Sequence, residues 1–105
     1  MQSRIEEIRD AVSRNSLLLT AHADEEAREE GISLQEVRQA IMVGEVLEDY
    51  PQHRRGPCCL VYGRSAVGRD IHVVITTHKV PPRIITVYEP KPPRWATPRE
   101  RRKRE

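Results

Sequence analysis

The amino-acid sequence predicts an α+β fold, with N-terminal helices packed on one face of a four-stranded antiparallel sheet. Three observations carry that prediction. Apolar residues at helical spacing, opened by capping residues and closed by glycines, fill the first 44 positions. Four short runs rich in branched and aromatic residues follow, and turn-forming segments such as "PQHRRGP", "SAVG" and "KVPP" separate them. Helices first and consecutive strands afterwards is the order of an α+β layer fold.

The first helix is expected over "SRIEEIRDAV", where Ser3 and Glu6 form a capping box and Ile5, Ile8 and Val12 share a stripe. A brief edge strand is expected at "LLLT", residues 17–20. A second helix runs through "HADEEAREE" and stops at Gly31, the usual left-handed terminator. The third has the clearest signal. Ser33 caps it, Glu36 returns the bond, Ile32 can staple to Val37, and Leu34, Val37 and Ile41 continue the buried stripe to Gly44.

The expected strands are "EVLEDY", "CCLVYGR", "DIHVVITTH" and "RIITVYE". In the hairpin over 70–90, alternation sends Ile71, Val73 and Ile75 to one face with Ile85 and Val87. The opposite face then collects His72, Val74, Thr76 and His78 with Ile84, Thr86 and Tyr88, which places His72 beside Tyr88. Residues 1–90 form the expected domain. The segment 91–105 reads as a basic mobile tail from which Trp95 can fold back onto the sheet.

Composition bounds the function. With no Phe, one Trp and three Tyr, the core must be aliphatic. No apolar run reaches membrane-spanning length and the start "MQSRIEEIRD" is too charged for a signal peptide, so the expected location is the cytoplasm, without membrane attachment. The adjacent Cys58 and Cys59 point to opposite faces of a strand and suit neither an internal disulfide nor a zinc site, so they read as reduced strand residues. Residues 1–50 carry five basic and twelve acidic side chains, net −7, whereas 51–105 carry thirteen and four, net +9. Such a polar molecule offers its basic side to an anion. Segregated charge also keeps helices and tails solvated, and the run "RERRKRE" fits that role equally.

The succession "HADEEAREEGISLQEV", "GEVLEDYP", "CCLVYGR", "IHVVI" and "IITVYEPKPPRW" resembles the small bacterial proteins grouped as domain of unknown function 4258, over residues 20–95. The residues carrying the resemblance are His22-Ala23, Gly31-Ile32-Ser33, Gly44, Tyr50-Pro51, His72-Val73-Val74 and Tyr88-Glu89-Pro90 with Trp95. Many relatives carry arginines where this chain has Glu26 and Glu30, which removes an anion contact from that helix unless Arg28 substitutes. The resemblance implies a fold similar to the RelE, BrnT and MqsR toxins, small RNA-cleaving proteins silenced by an antitoxin. It also implies a cognate antitoxin partner of zinc-finger type. The toxins' catalytic residues do not align with this sequence and are not carried over.

Metal-free RNA cleavage needs a base for the 2′-hydroxyl, an acid for the leaving oxygen and cations for the phosphorane charge. His22, just after Thr20 at a helix start, is placed where backbone N–H groups attract a phosphate. His72 and Tyr88 on the open sheet face are the expected second proton-transfer group and hydroxyl. Arg69, Lys79 and Arg83 at strand ends could hold the phosphate, and Tyr50 and Tyr62 could stack on bases. Each has a plainer reading: a cap for His22, half-solvated sheet for His72, packing beneath Trp95 for Tyr88. His53 and His78 fall in turns, and no HxxxH or CxxC spacing supports a metal or other cofactor. The leading expectation is a toxin-type endoribonuclease acting on RNA or the ribosome, which requires His22 to approach His72 and Tyr88. The alternative is a non-catalytic module that binds RNA, the ribosome or a protein through the same sheet face.

Overall fold

The computed structural model describes residues 4–54, 56–78 and 81–101. Helix α1 (Arg4–Ser13), strand β1 (Leu18–Leu19), helix α2 (Ala21–Glu29) and helix α3 (Leu34–Val43) precede β2 (Glu45–Tyr50), β3 (Cys58–Arg64), β4 (Asp70–Thr76) and β5 (Arg83–Tyr88). Two further strands, β6 (Trp95–Thr97) and β7 (Glu100–Arg101), form a hairpin. The class is α+β, but the main sheet has five strands in the order β1-β5-β4-β3-β2, with β1 parallel to β5. The expected four-stranded antiparallel sheet is its larger part. The "LLLT" edge supplies the fifth strand.

Local signals were obeyed where their partners lie close in sequence. Ser33 Oγ accepts from Glu36 N at 3.1 Å and Glu36 Oε2 accepts from Ser33 N at 3.2 Å, completing the capping box of α3. Thr20 caps α2 by accepting from Ala23 N, and donates its own proton to Ile85 O, tying the helix start to β5. Gly31 adopts φ +67° after α2. The Ser3 cap expected for α1 lies outside the described residues. Arg9 of α1 instead donates to Gly44 O at 2.7 Å, satisfying a carbonyl at the end of α3.

The buried stripe of α3 differs from expectation. Val37, Ala40 and Ile41 are buried, but Leu34 is 47% exposed. The helix is rolled so that its small residue, Ala40, meets the sheet. A methyl group added to Gly63 of β3 would lie 1.9 Å from Ala40 O, and one added to Gly44 would lie 2.5 Å from the same atom. These two glycines permit backbone-to-backbone approach of α3 and β3.

The sheet separates two apolar layers. The helix-side core joins Val37, Ile41 and Ala23 to Cys59, Val61, Val73 and Ile84, among others. The opposite layer contains Cys58, Leu60, Val74, Ile85 and Trp95. The cysteines, both reduced, thus stand on opposite faces, as alternation requires. His72 and Tyr88 are directly paired, as expected, but the rest of β5 is corrected by a bulge between the Val74–Thr86 and Ile75–Ile84 pairs. That extra residue sends Ile84 and Val87 toward the helices and Ile85 away from them, whereas simple alternation grouped Ile85 with Val87. Beyond residue 90 the chain returns to the sheet. Trp95 is 2% exposed, covering the second sheet face as its fold-back anticipated. Residues 102–105 lie outside the described residues.

Candidate functional site

The hairpin β6–β7 decides which sequence candidates can meet a substrate. His72 is fully buried beneath it, with Nε2 2.7 Å from Pro98 O and Nδ1 3.1 Å from the Tyr88 hydroxyl. A carbonyl can only accept, so Nε2 carries the proton, and Nδ1 accepts from Tyr88. Trp95 packs edge-on against the same imidazole, with ring centroids 4.4 Å apart. Burial pushes the His72 pKa down and that of Tyr88 up, so both are neutral near pH 7. The open-face expectation for His72 and Tyr88 is therefore corrected: they form a closed polar pair that anchors the C-terminal hairpin.

This arrangement has a pH signature. The unfolded chain protonates its histidines near pH ~6.5, whereas folded His72 takes a proton only at lower pH. Its contribution is thus fully present above that value and is lost as the pH falls toward the depressed folded pKa. The slope is at most ~1.4 kcal/mol per pH unit. Urea unfolding at pH 7.5 and 5.5 should show a larger acid-induced loss for the parent than for His72→Gln. Equal losses would show that His72 does not titrate this way.

The proposed phosphate ligands are likewise redistributed. Arg69 is largely buried and donates to Gly31 O at 2.9 Å, to Glu30 O, and to the carboxylates of Glu36 and Glu89. It joins the α2–α3 turn to the sheet and is not available to a phosphate. Arg83 is exposed at the start of β5, and Lys79 lies outside the described residues. Tyr62 is buried, donates to Asp70 at 2.6 Å and lies under the Arg99 guanidinium, so its ring is not free to stack on a base. Glu26 and Glu30 accept from Val87 N at 3.2 Å and Glu89 N at 3.0 Å. They close the part of the β5 edge that short β1 leaves unpaired. Arg28, the suggested substitute cation, is ion-paired with Asp24 on the surface.

His22 and Tyr50 meet elsewhere. They line a cleft of about 750 Å³ with Pro51, Gln52, His53 and Arg54 of the β2–β3 turn, and with Arg101 of β7. Val74, Ile85 and Thr86 complete the lining. His22, in the first turn of α2, exposes its ring and places Nε2 3.3 Å from Glu26 Oε1. First-turn N–H groups lack partners within their own helix and favour an anion there. The His53 ring stands 6.4 Å from that of Tyr50. Arg101 holds the wall in place by a two-pronged ion pair to Glu48, at 2.7 and 2.8 Å. That guanidinium lowers the Glu48 pKa, while burial and the bond to Glu48 push the Tyr50 phenol up to about 12. Tyr50 thus offers a ring rather than an exchangeable proton. The structure brings His22 and Tyr50 to one cleft, but His72 and Tyr88 do not line it. His53, Arg54 and Arg101 were missed as site residues. The signal for His53 and Arg54 was "YPQHRRGP", a turn that sets a histidine and arginines beside an aromatic residue, whereas Arg101 lay in the run read as a solvated tail.

A model of the family described as a domain of unknown function (DUF4258) matches residues 19–89. The chain belongs to this family. No curated protein and no solved structure matches it. The DUF4258 match begins at the last residue of β1 and ends one residue beyond β5. Within the cleft, His22, Tyr50, His53 and Arg54 come from the DUF4258 segment, whereas Arg101 is added by the following hairpin. Among the described residues no helix of this DUF4258 chain is long and apolar enough to cross a membrane.

Proposed function

We propose that the protein is a toxin-type, metal-free endoribonuclease that binds RNA in the His22 cleft. One observation carries the reading: a helix start, two histidines, an aromatic ring and two arginines line the same opening. The α2 N-terminus and Arg54 attract the phosphate, and the Tyr50 ring stacks on a base. His22, oriented by Glu26, takes the 2′-hydroxyl proton. The freed oxygen attacks phosphorus, and His53 as general acid supplies a proton to the leaving 5′-oxygen as the P–O5′ bond breaks, producing a 2′,3′-cyclic phosphate. The reading also draws on what the sequence resemblance implies, a fold like that of RelE-like toxins. A cognate antitoxin, of zinc-finger type, is the expected partner, and RNA free or on the ribosome the expected target.

Purified protein should cleave RNA in the presence of a chelator and leave cyclic phosphate ends. His22→Ala should lower that rate by about a hundredfold, the scale of a lost general base. Because the ring is exposed, its melting temperature should stay near that of the parent. Undiminished cleavage in both His22→Ala and His53→Ala would overturn the assignment. RNA binding without cleavage would favour the non-catalytic module, relocated from the covered sheet face to this cleft.

A further inference from the structure

The outer face of α3 presents apolar side chains that the fold does not use. Leu34 is 47%, Met42 42% and Val43 69% exposed. Together with Arg38 they form one wall of a groove of about 830 Å³, and Arg64 and Ala66 of the β3–β4 hairpin line its other side. Leu34, Arg38 and Met42 are four residues apart, so they form one stripe about 12 Å long. The two cations differ. Arg64 is bound to Asp70 at 3.4 Å and to Gly68 O at 3.0 Å. Arg38 has no hydrogen bond or ion pair among the described residues.

That placement selects the occupant. If two copies paired α3 antiparallel about a two-fold axis, Leu34 would meet Met42 and each Arg38 would meet its own counterpart. Like charges at the centre of an apolar contact oppose that pairing. We propose that the groove receives an amphipathic helix of another protein, with apolar side chains at both ends of one three-turn face and a carboxylate midway between them. The ends pack on Leu34 and on Met42 with Val43, and the carboxylate pairs with Arg38. No residue of this groove lines the His22 cleft, so the inference stands apart from the proposed activity.

A displayed library of helical peptides, with leucines fixed at the two ends of one face and the midway position randomised, tests this on the full chain. Selection against the parent should enrich Asp or Glu midway, and selection against Arg38→Glu should enrich Lys or Arg. Val43→Asp should weaken the selected acidic peptides by at least about tenfold, and higher salt should weaken them too. These side chains are exposed or half-exposed, so both variants should melt near the parent temperature. Recovery of no peptide, or a midway preference unmoved by Arg38→Glu, would overturn the proposal. So would sedimentation showing a dimer that Val43→Asp disperses, because the occupant would then be a second copy.

Discussion

Gly63→Ala is expected to destabilise the protein by about 3 kcal/mol or more, lowering the melting temperature by roughly 15 °C. The added methyl would lie 1.9 Å from Ala40 O, 2.6 Å from its carbonyl carbon and 2.9 Å from its Cα. All three are backbone atoms of α3, so no rotamer change can relieve the contact. The helix must lift from β3, opening the core beneath Val37 and Ile41, both fully buried. Gly31→Ala supplies the contrast. Its added methyl meets nothing within 4 Å, but φ is +67°, so only the left-handed backbone cost of about 1–2 kcal/mol applies. Thermal denaturation of the two variants should separate them clearly. A Gly63→Ala protein melting no lower than Gly31→Ala would show that α3 and β3 are not in backbone contact.

His72→Ala is expected to cost about 3 kcal/mol, with a loss of tertiary signal around Trp95. The substitution empties a site under the Trp95 ring and leaves Pro98 O and the Tyr88 hydroxyl without their imidazole partner. His72→Gln should recover part of the loss, since its amide can donate to Pro98 O and accept from Tyr88. Tyr88→Phe should cost less, about 1–2 kcal/mol, because the ring packing stays and only the donor to Nδ1 goes. Near-UV circular dichroism and urea unfolding check all three. An undiminished midpoint for His72→Ala, accompanied by lost RNA cleavage, would return His72 to the reacting groups and refute its anchoring role.

The fold was legible where physics is local. Ser33 and Glu36 form their capping box from a separation of three residues, and the shared face of His72 and Tyr88 follows from the two-residue period once the cleaner apolar faces are matched. The bulge at Ile85 was not legible, because one unpaired residue in "RIITVY" leaves no trace in composition. Leu34 fitted the apolar stripe by spacing alone. The roll of α3 is set instead by Gly44 and Gly63, whose close approach is a tertiary fact. Site candidates suffered from the same division. Arg69 stands at a strand start and looks solvated, yet its acceptors Glu30 and Gly31 are 39 and 38 residues away. Trp95 was expected to fold back, but the prolines in "KPPRWATP" signal interrupted structure and hid the β6–β7 hairpin that encloses His72. His22 kept its exposed place because capping by Thr20 is a local event.

The side-by-side thiols make the chain report on its own local breathing. Cys58 lies in the layer with Trp95, and Cys59 in the layer under the helices, both fully buried. A thiol reagent reaches Cys59 through excursions that lift the helical layer, and Cys58 through excursions on the hairpin side. Burial also raises the Cys58 pKa, so reactive thiolate forms chiefly in the opened state. One dipeptide therefore serves as a pair of clocks, and their two alkylation rates compare the opening free energies of the two layers without unfolding the molecule.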